Sequence, residues 1–203
     1  MTATASGVRP AGRPDSTVPE RLLGSAVRLF SEKGVSNTSV QEIVDAVDLT
    51  KGALYHYFAS KDDLLYEIYA RLLRMQQARL DEIIVLDLPV DQRLHRAATD
   101  VVATTLEGMD EARVFFRSYY MLPEDRRAGI RDARRHFAAR FASMIEEGQA
   151  DGTFRRDGLP VKVRIYHFIG AISYLQVWFR PDGRYSIAEV ARMYADDLLH
   201  SLR

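Results

Sequence analysis

Apolar residues recur at three- and four-residue steps along almost the whole chain, and no run alternates long enough to argue for a strand, so the pattern predicts an all-α protein. The first helix opens near Val18, with Pro19 at a tolerated first-turn position and Leu22, Leu23, Ala26, Leu29 and Phe30 on one face. Gly34 ends it. Thr38 followed by Gln41 has the spacing of a capping box and starts a second helix, with Val40, Ile43, Val44 and Val47 turned inward. After a break at Asp48 and Leu49, Thr50 caps a short third helix that runs to about Phe58. Ser60 then caps a long fourth helix carrying Leu64, Leu65, Ile68, Leu72 and Leu73.

Beyond residue 85 the segments lengthen. Asp87, Pro89 and Asp91 mark a turn before a helix near 91–107, and Gly108 with Asp110 precedes an aromatic helix near 111–121. Pro123 introduces a long helix over 124–149, a Gly- and Arg-rich loop follows, and the last two helices span about 160–179 and 186–201. Residues 1–16 hold almost no large apolar side chains, bury too little surface to order themselves, and are expected to form a flexible arm. The pattern divides the chain into this arm, a small helical head over 17–63 and a larger helical body over 64–203.

Composition narrows the chemistry. The 203 residues include no cysteine, which excludes disulfides, thiolate metal sites and cysteine nucleophiles. The five histidines, His56, His95, His136, His167 and His200, show no metal-ligand spacing, and neither a phosphate-binding loop nor a nucleophile elbow is present. No catalytic residue, metal or cofactor is therefore expected, and an enzyme is not. No uncharged apolar stretch approaches the roughly 18 residues of a membrane span, and the N-terminus lacks a signal-peptide core. The expectation is a cytoplasmic protein without membrane contact.

Charge argues against a broad nucleic-acid surface: 28 basic residues balance 28 acidic ones. Residues 1–70 hold seven Lys or Arg against nine Asp or Glu. Contact with DNA must depend on a few well-placed groups, aided by helix N-termini and backbone amides.

Such groups are present. Two short helices joined by a tight turn have the geometry of a helix-turn-helix, and the segment from Thr38 to Phe58 fits it. Lys51, Gly52, Ala53, Tyr55 and His56 can project from the start of the recognition helix, while Leu54 and Phe58 at i and i+4 anchor it. Small residues at 52 and 53 let the backbone approach base edges in a major groove. Tyr55 and His56 can bond phosphates or bases, and Lys61, Thr38, Ser39 and Thr50 are candidates for phosphate contacts.

These residues resemble the TetR family of transcriptional regulators: Phe30, Gly34, Thr38, Val40 and Ile43, then Lys51-Gly52, Leu54-Tyr55-His56-Tyr57-Phe58, and Ser60-Lys61 with Leu64. Two positions depart from the pattern. Asp48 stands where the family has Gly, a position that Asp fills because it tolerates a left-handed backbone. Val44 stands where it has Ala. The resemblance implies a homodimer on a palindromic double-stranded operator, joined through the last two helices, with an effector cavity in the body and repression relieved by a small ligand.

Within the body, the resemblance places the cavity near the aromatic segment and the long helix. Its candidate walls are Phe115, Phe116, Tyr119, Tyr120, Phe137, Phe141, Met144, Tyr166, Ile169, Tyr174 and Trp178. Arg126, Arg127, Arg131, Arg134, Arg135 and Arg140 crowd the long helix. Trp178-Phe-Arg-Pro-Asp-Gly183 followed by Tyr185-Ser-Ile is similar to TetR members that govern lipid or steroid catabolism and sense acyl-CoA. That similarity implies an apolar or acyl-CoA effector, with Arg134 a partner for its anionic part. The rival reading is a helical ligand carrier or scaffold that never binds DNA.

Overall fold

In the computed structural model, which describes residues 17–156 and 158–203, Thr17 precedes the first helix and its amide donates to the Glu20 carboxylate at 2.8 Å. The helices that follow are α1 (Val18–Lys33), α2 (Val40–Asp45), α3 (Lys51–Tyr57), α4 (Lys61–Ile84), α5 (Val90–Glu107), α6 (Met109–Ser118), α7 (Glu124–Asp151), α8 (Val161–Trp178) and α9 (Ile187–His200). A single 3-10 turn, Tyr119–Met121, separates α6 from α7. No strand occurs among the described residues. The arm expected over residues 1–16 lies outside them.

Turns fall where the chain has the residues to make them. Gly34 closes α1 at φ 84°, and Asp48 sits at φ 53°, the one positive-φ residue other than glycine among those described. That left-handed residue turns the chain from α2 into α3. Leu49 closes the turn through its backbone amide to the Val44 carbonyl at 3.0 Å.

The start of α2 differs from expectation. Its cap is Ser39, which accepts from the amide of Glu42 while Glu42 reaches back to the Ser39 amide at 2.8 Å. Two capping patterns overlap here, Thr38 with Gln41 and Ser39 with Glu42. The second prevails because a carboxylate accepts more strongly than an amide and is also paired with Lys33 at 2.6 Å. Thr38 is left to turn inward, where its buried hydroxyl bonds the Gly34 carbonyl at 2.9 Å.

Buried apolar side chains form two clusters. One joins α1, α2, α3 and the first turns of α4, around Leu22, Phe30, Ile43, Val44, Leu54, Leu64 and Leu65. It extends into Val114 and Phe115 of α6, Leu122, and Ile130 of α7. The other fills the body, with α9 laid along α5 and the pair backed by α7 and α8 through Leu94, Val102, Phe141, Met144, Ile165, Leu175 and Leu198. α4 runs unbroken across residues 63 and 64, and its Leu64, Leu65, Ile68 and Tyr69 belong to the head cluster.

Candidate functional site

α3 is seven residues long, too short to hold itself, so its pose is set from outside. Leu54 is fully buried and Phe58 nearly so, which fixes one side against α1 and α2. Thr50 caps the start, its hydroxyl accepting from the Ala53 amide at 3.1 Å. The opposite side is left open: Lys51, Gly52, Tyr55, His56 and Tyr57 are exposed and Ala53 half-buried. Ser39 caps α2 and is likewise exposed. Together they form a surface with a hydroxyl, an imidazole, two phenols and an ammonium at its edge.

Two expected DNA contacts are not available there. Thr38 is 1% exposed and its hydroxyl is occupied by backbone carbonyls. Lys61 is half-buried, and its ammonium donates to the carbonyls of Val35 at 2.9 Å and Thr38 at 3.2 Å. It braces the loop between α1 and α2 by donating to two of that loop's backbone carbonyls. Tyr57, which the sequence left unassigned, is exposed and stands edge-on to His56 at 4.8 Å.

The body holds an apolar cavity of about 90 Å³ between α4, α5, α6, α7 and α8. Of the expected walls, Phe115, Phe116, Arg134, Phe137 and Ile169 line it. The remaining expected walls do not. Phe141 and Met144 are buried in the packed core away from it, and Tyr119 packs on the head cluster. Tyr120, Tyr166, Tyr174 and Trp178 are on the surface, at 80%, 48%, 62% and 43% exposed. For Tyr166, Tyr174 and Trp178 the reason lies in α8, which is apolar on nearly every side, so spacing alone cannot say which face turns inward.

Among the walls that sequence reasoning missed is Gln76 of α4. It is buried, and its amide nitrogen donates to the hydroxyls of Thr104 at 3.0 Å and Thr105 at 3.1 Å. A polar residue on the apolar face of a long helix was the signal that could have found it. Opposite, Arg134 lies over the Phe115 ring at 5.3 Å and has neither ion pair nor hydrogen bond among the described residues. The other five arginines of that run are paired: Arg126 with Asp63, Arg127 and Arg131 with Glu124, Arg135 with Asp132, and Arg140 with Asp81.

Head and body meet through α6. Tyr69 of α4 is buried, and its hydroxyl lies 2.9 Å from the carbonyls of both Val114 and Phe115. Its ring meets Phe115 edge-on at 4.5 Å. Burial pushes the Tyr69 phenol well above its ordinary pKa, so the hydroxyl remains a donor. Phe115 thus belongs to the head cluster and to the cavity wall at once.

A braced helix-turn-helix with an open recognition face, joined to a helical body with an internal cavity, defines a DNA-binding regulator with a built-in sensor. The family described as bacterial regulatory proteins, tetR family, matches residues 22–68, and the tetracyclin repressor-like C-terminal domain matches 87–202. The chain belongs to the TetR family of transcriptional regulators. Members bind operator DNA and small-molecule effectors and are typically homodimers, and they are regulators rather than enzymes. The chain is 29% identical over 187 residues to the HTH-type transcriptional repressor KstR2 of Rhodococcus jostii, covering 89% of each chain. Its fold matches PfmR from Thermus thermophilus with a TM-score of 0.81 at 29% identity, over 89% of this chain and 97% of that one. It also matches AibR, solved with isovaleryl coenzyme A and operator DNA, with a TM-score of 0.75 at 23% identity, over 91% and 97%. No helix among the described residues is long and apolar enough to cross a membrane.

Proposed function

We propose that this protein is a repressor whose dimer holds two α3 helices in successive major grooves of a palindromic operator, about 34–36 Å apart, and lets go when an acyl compound with an anionic end occupies the body. Residues 17–63 serve as the DNA-binding unit, with Ser39, Thr50, Lys51, Gly52, Ala53, Tyr55 and His56 facing the duplex. Residues 64–203 bind effector and partner.

The observation that carries this reading is Arg134. An unpaired guanidinium at the wall of an apolar cavity, in a helix whose other arginines in the run have carboxylate partners, asks for an anion from outside the chain. Two further facts support it. KstR2 is a repressor by name, and AibR holds an acyl-coenzyme A with operator DNA. Pairing through α8 and α9 is supported by Val163, Tyr166, Tyr174, Val177 and Trp178 of α8 and Met193 of α9, large apolar side chains left exposed on these two helices.

Gel shift with DNA flanking its own gene tests the repressor. Retardation is expected, weakened by His56→Ala or Tyr55→Ala and relieved by acyl-CoA. Calorimetry tests the anion: Arg134→Ala should weaken acyl-CoA binding. A monomer that prefers no duplex at low salt would refute the proposal.

A further inference from the structure

The inner cavity, at about 90 Å³, has room for roughly three water-sized groups. Sites that enclose a ligand run to about 300–1,000 Å³. Something must move before an effector fits, and a neighbouring space shows what.

A cleft of about 500 Å³ runs between α4 and α7. It is open because small residues face it from both sides: Ala70 and Ala78 of α4, Gly129 and Ala133 of α7. A Cβ built on Gly129 would meet only the Tyr66 hydroxyl, at 3.7 Å. Cleft and inner cavity share two lining residues, Leu73 of α4 and Phe137 of α7. Leu73 and Phe137 border both spaces, and a side chain can change rotamer where a helix backbone cannot yield. Arg134 lies one turn before Phe137 on the same helix face and lines the inner cavity.

We infer that the cleft between α4 and α7 is the passage by which the effector reaches the interior, with Leu73 and Phe137 as its gate. The inference rests on the body being a sensor. With the gate open the two spaces become one, large enough to enclose a ligand. The passage suits a slender, flexible apolar chain, which slips past two side chains, over a rigid polycycle, which would have to part the helices. The chain goes in first, and its anionic end stops at Arg134, beside the gate.

The test is stopped-flow binding of parinaric acid, a fluorescent fatty acid, to the full-length dimer. Ala133→Trp places an indole in the cleft from an exposed helical position that does not line the inner cavity. A residue of the passage touches neither the free nor the bound state, so association and dissociation should slow together, by about tenfold or more, with Kd held within about twofold. Ala78→Trp, on the facing wall, should do the same, and Phe137→Ala should speed association. 1-Pyrenecarboxylic acid should bind at least about tenfold more weakly than parinaric acid. Wild-type rates in both tryptophan variants would place the passage elsewhere and overturn the inference, as would a changed Kd with unchanged association. Equal affinity for the pyrene acid would overturn the chain-like ligand. A wild-type protein that takes up neither probe overturns the sensor reading itself, and this inference with it.

Discussion

The head and the body are held by different means. In the head, helices of six and seven residues are posed by caps and by polar side chains that reach across loops. Ser25 donates to the Ile43 carbonyl at 2.9 Å, Arg21 to Val47, and Lys61 to two carbonyls of the loop between α1 and α2. In the body, helices of 10 to 28 residues pack by broad apolar faces. Polar ties such as His95 to Asp196 and Arg93 to Glu147 run along its edges. Directional bonds fix a surface that must present the same atoms to DNA each time. Apolar packing is non-directional, so it can leave a void and let side chains shift around it.

The sharpest way to break this contrast is to remove one anchor from each region. Leu54 is the only fully buried residue of α3. Leu54→Ala should destabilise the head by about 2–5 kcal/mol and abolish operator retardation, while parinaric acid still binds the body. Loss of both activities together would show that the two regions unfold as one. In the body, a Cβ at Gly148 would run into the buried Phe154 ring. Gly148→Ala should lower the body's stability by about 1–3 kcal/mol through overpacking, read as a shifted thermal midpoint. Operator affinity measured well below that midpoint should hold.

The same contrast explains what could be read from the chain. Head structure is local, so its signals sit within a few residues of what they control: Thr50 and Ser60 as caps, Asp48 as the left-handed turn, Leu54 and Phe58 as anchors. The one local error, Thr38 for Ser39, came from two overlapping cap patterns that are separated by the stronger acceptor, the Glu42 carboxylate, and by its pairing with Lys33. Body helices were legible as helices, but a cavity is a property of five helices at once. The resemblance named Phe115 and Phe137 as walls, yet it also named Tyr174 and Trp178, because an aromatic on an all-apolar helix gives no sign of which way it faces. Lys61 was misjudged for a related reason. Its partners are 26 and 23 residues away in sequence, and both are backbone carbonyls.

A smaller effect is expected where the two regions touch. Tyr69→Phe leaves the ring in place but removes the donor to the Val114 and Phe115 carbonyls, at about 1–2 kcal/mol. Because Phe115 also lines the cavity, an effector that displaces it acts directly on this junction. The variant should bind operator within about threefold of wild type while losing part of the roughly 1–3 kcal/mol by which effector and DNA typically oppose each other. Gel shifts with and without acyl-CoA give both numbers. An undiminished effector response would mean that the signal leaves the cavity by another helix.

The smallest effect is confined to acid and to the head. The Lys33 ammonium, with help from the Ser39 amide and hydroxyl, holds the Glu42 carboxyl down at about 2, against an ordinary value of 4.5. A carboxyl depressed on folding stabilises the fold fully above its unfolded pKa and loses that contribution as pH falls toward the folded one. Glu42 should therefore support α2 at pH 5 and above, and progressively less between about 4.5 and 2. Because the pair is exposed, water and salt screen it, and the effect on stability is small. Glu42→Gln keeps a capping side chain but has no proton to gain, so the thermal midpoint of the head should depend less on pH across that window than in the wild type. Other head carboxyls titrate in both proteins and drop out of the difference. If the two midpoints fall in parallel from pH 5 to pH 2, the Lys33–Glu42 pair contributes nothing to holding the helix-turn-helix, and the bracing of α2 rests on Ser25 and the Ser39 cap.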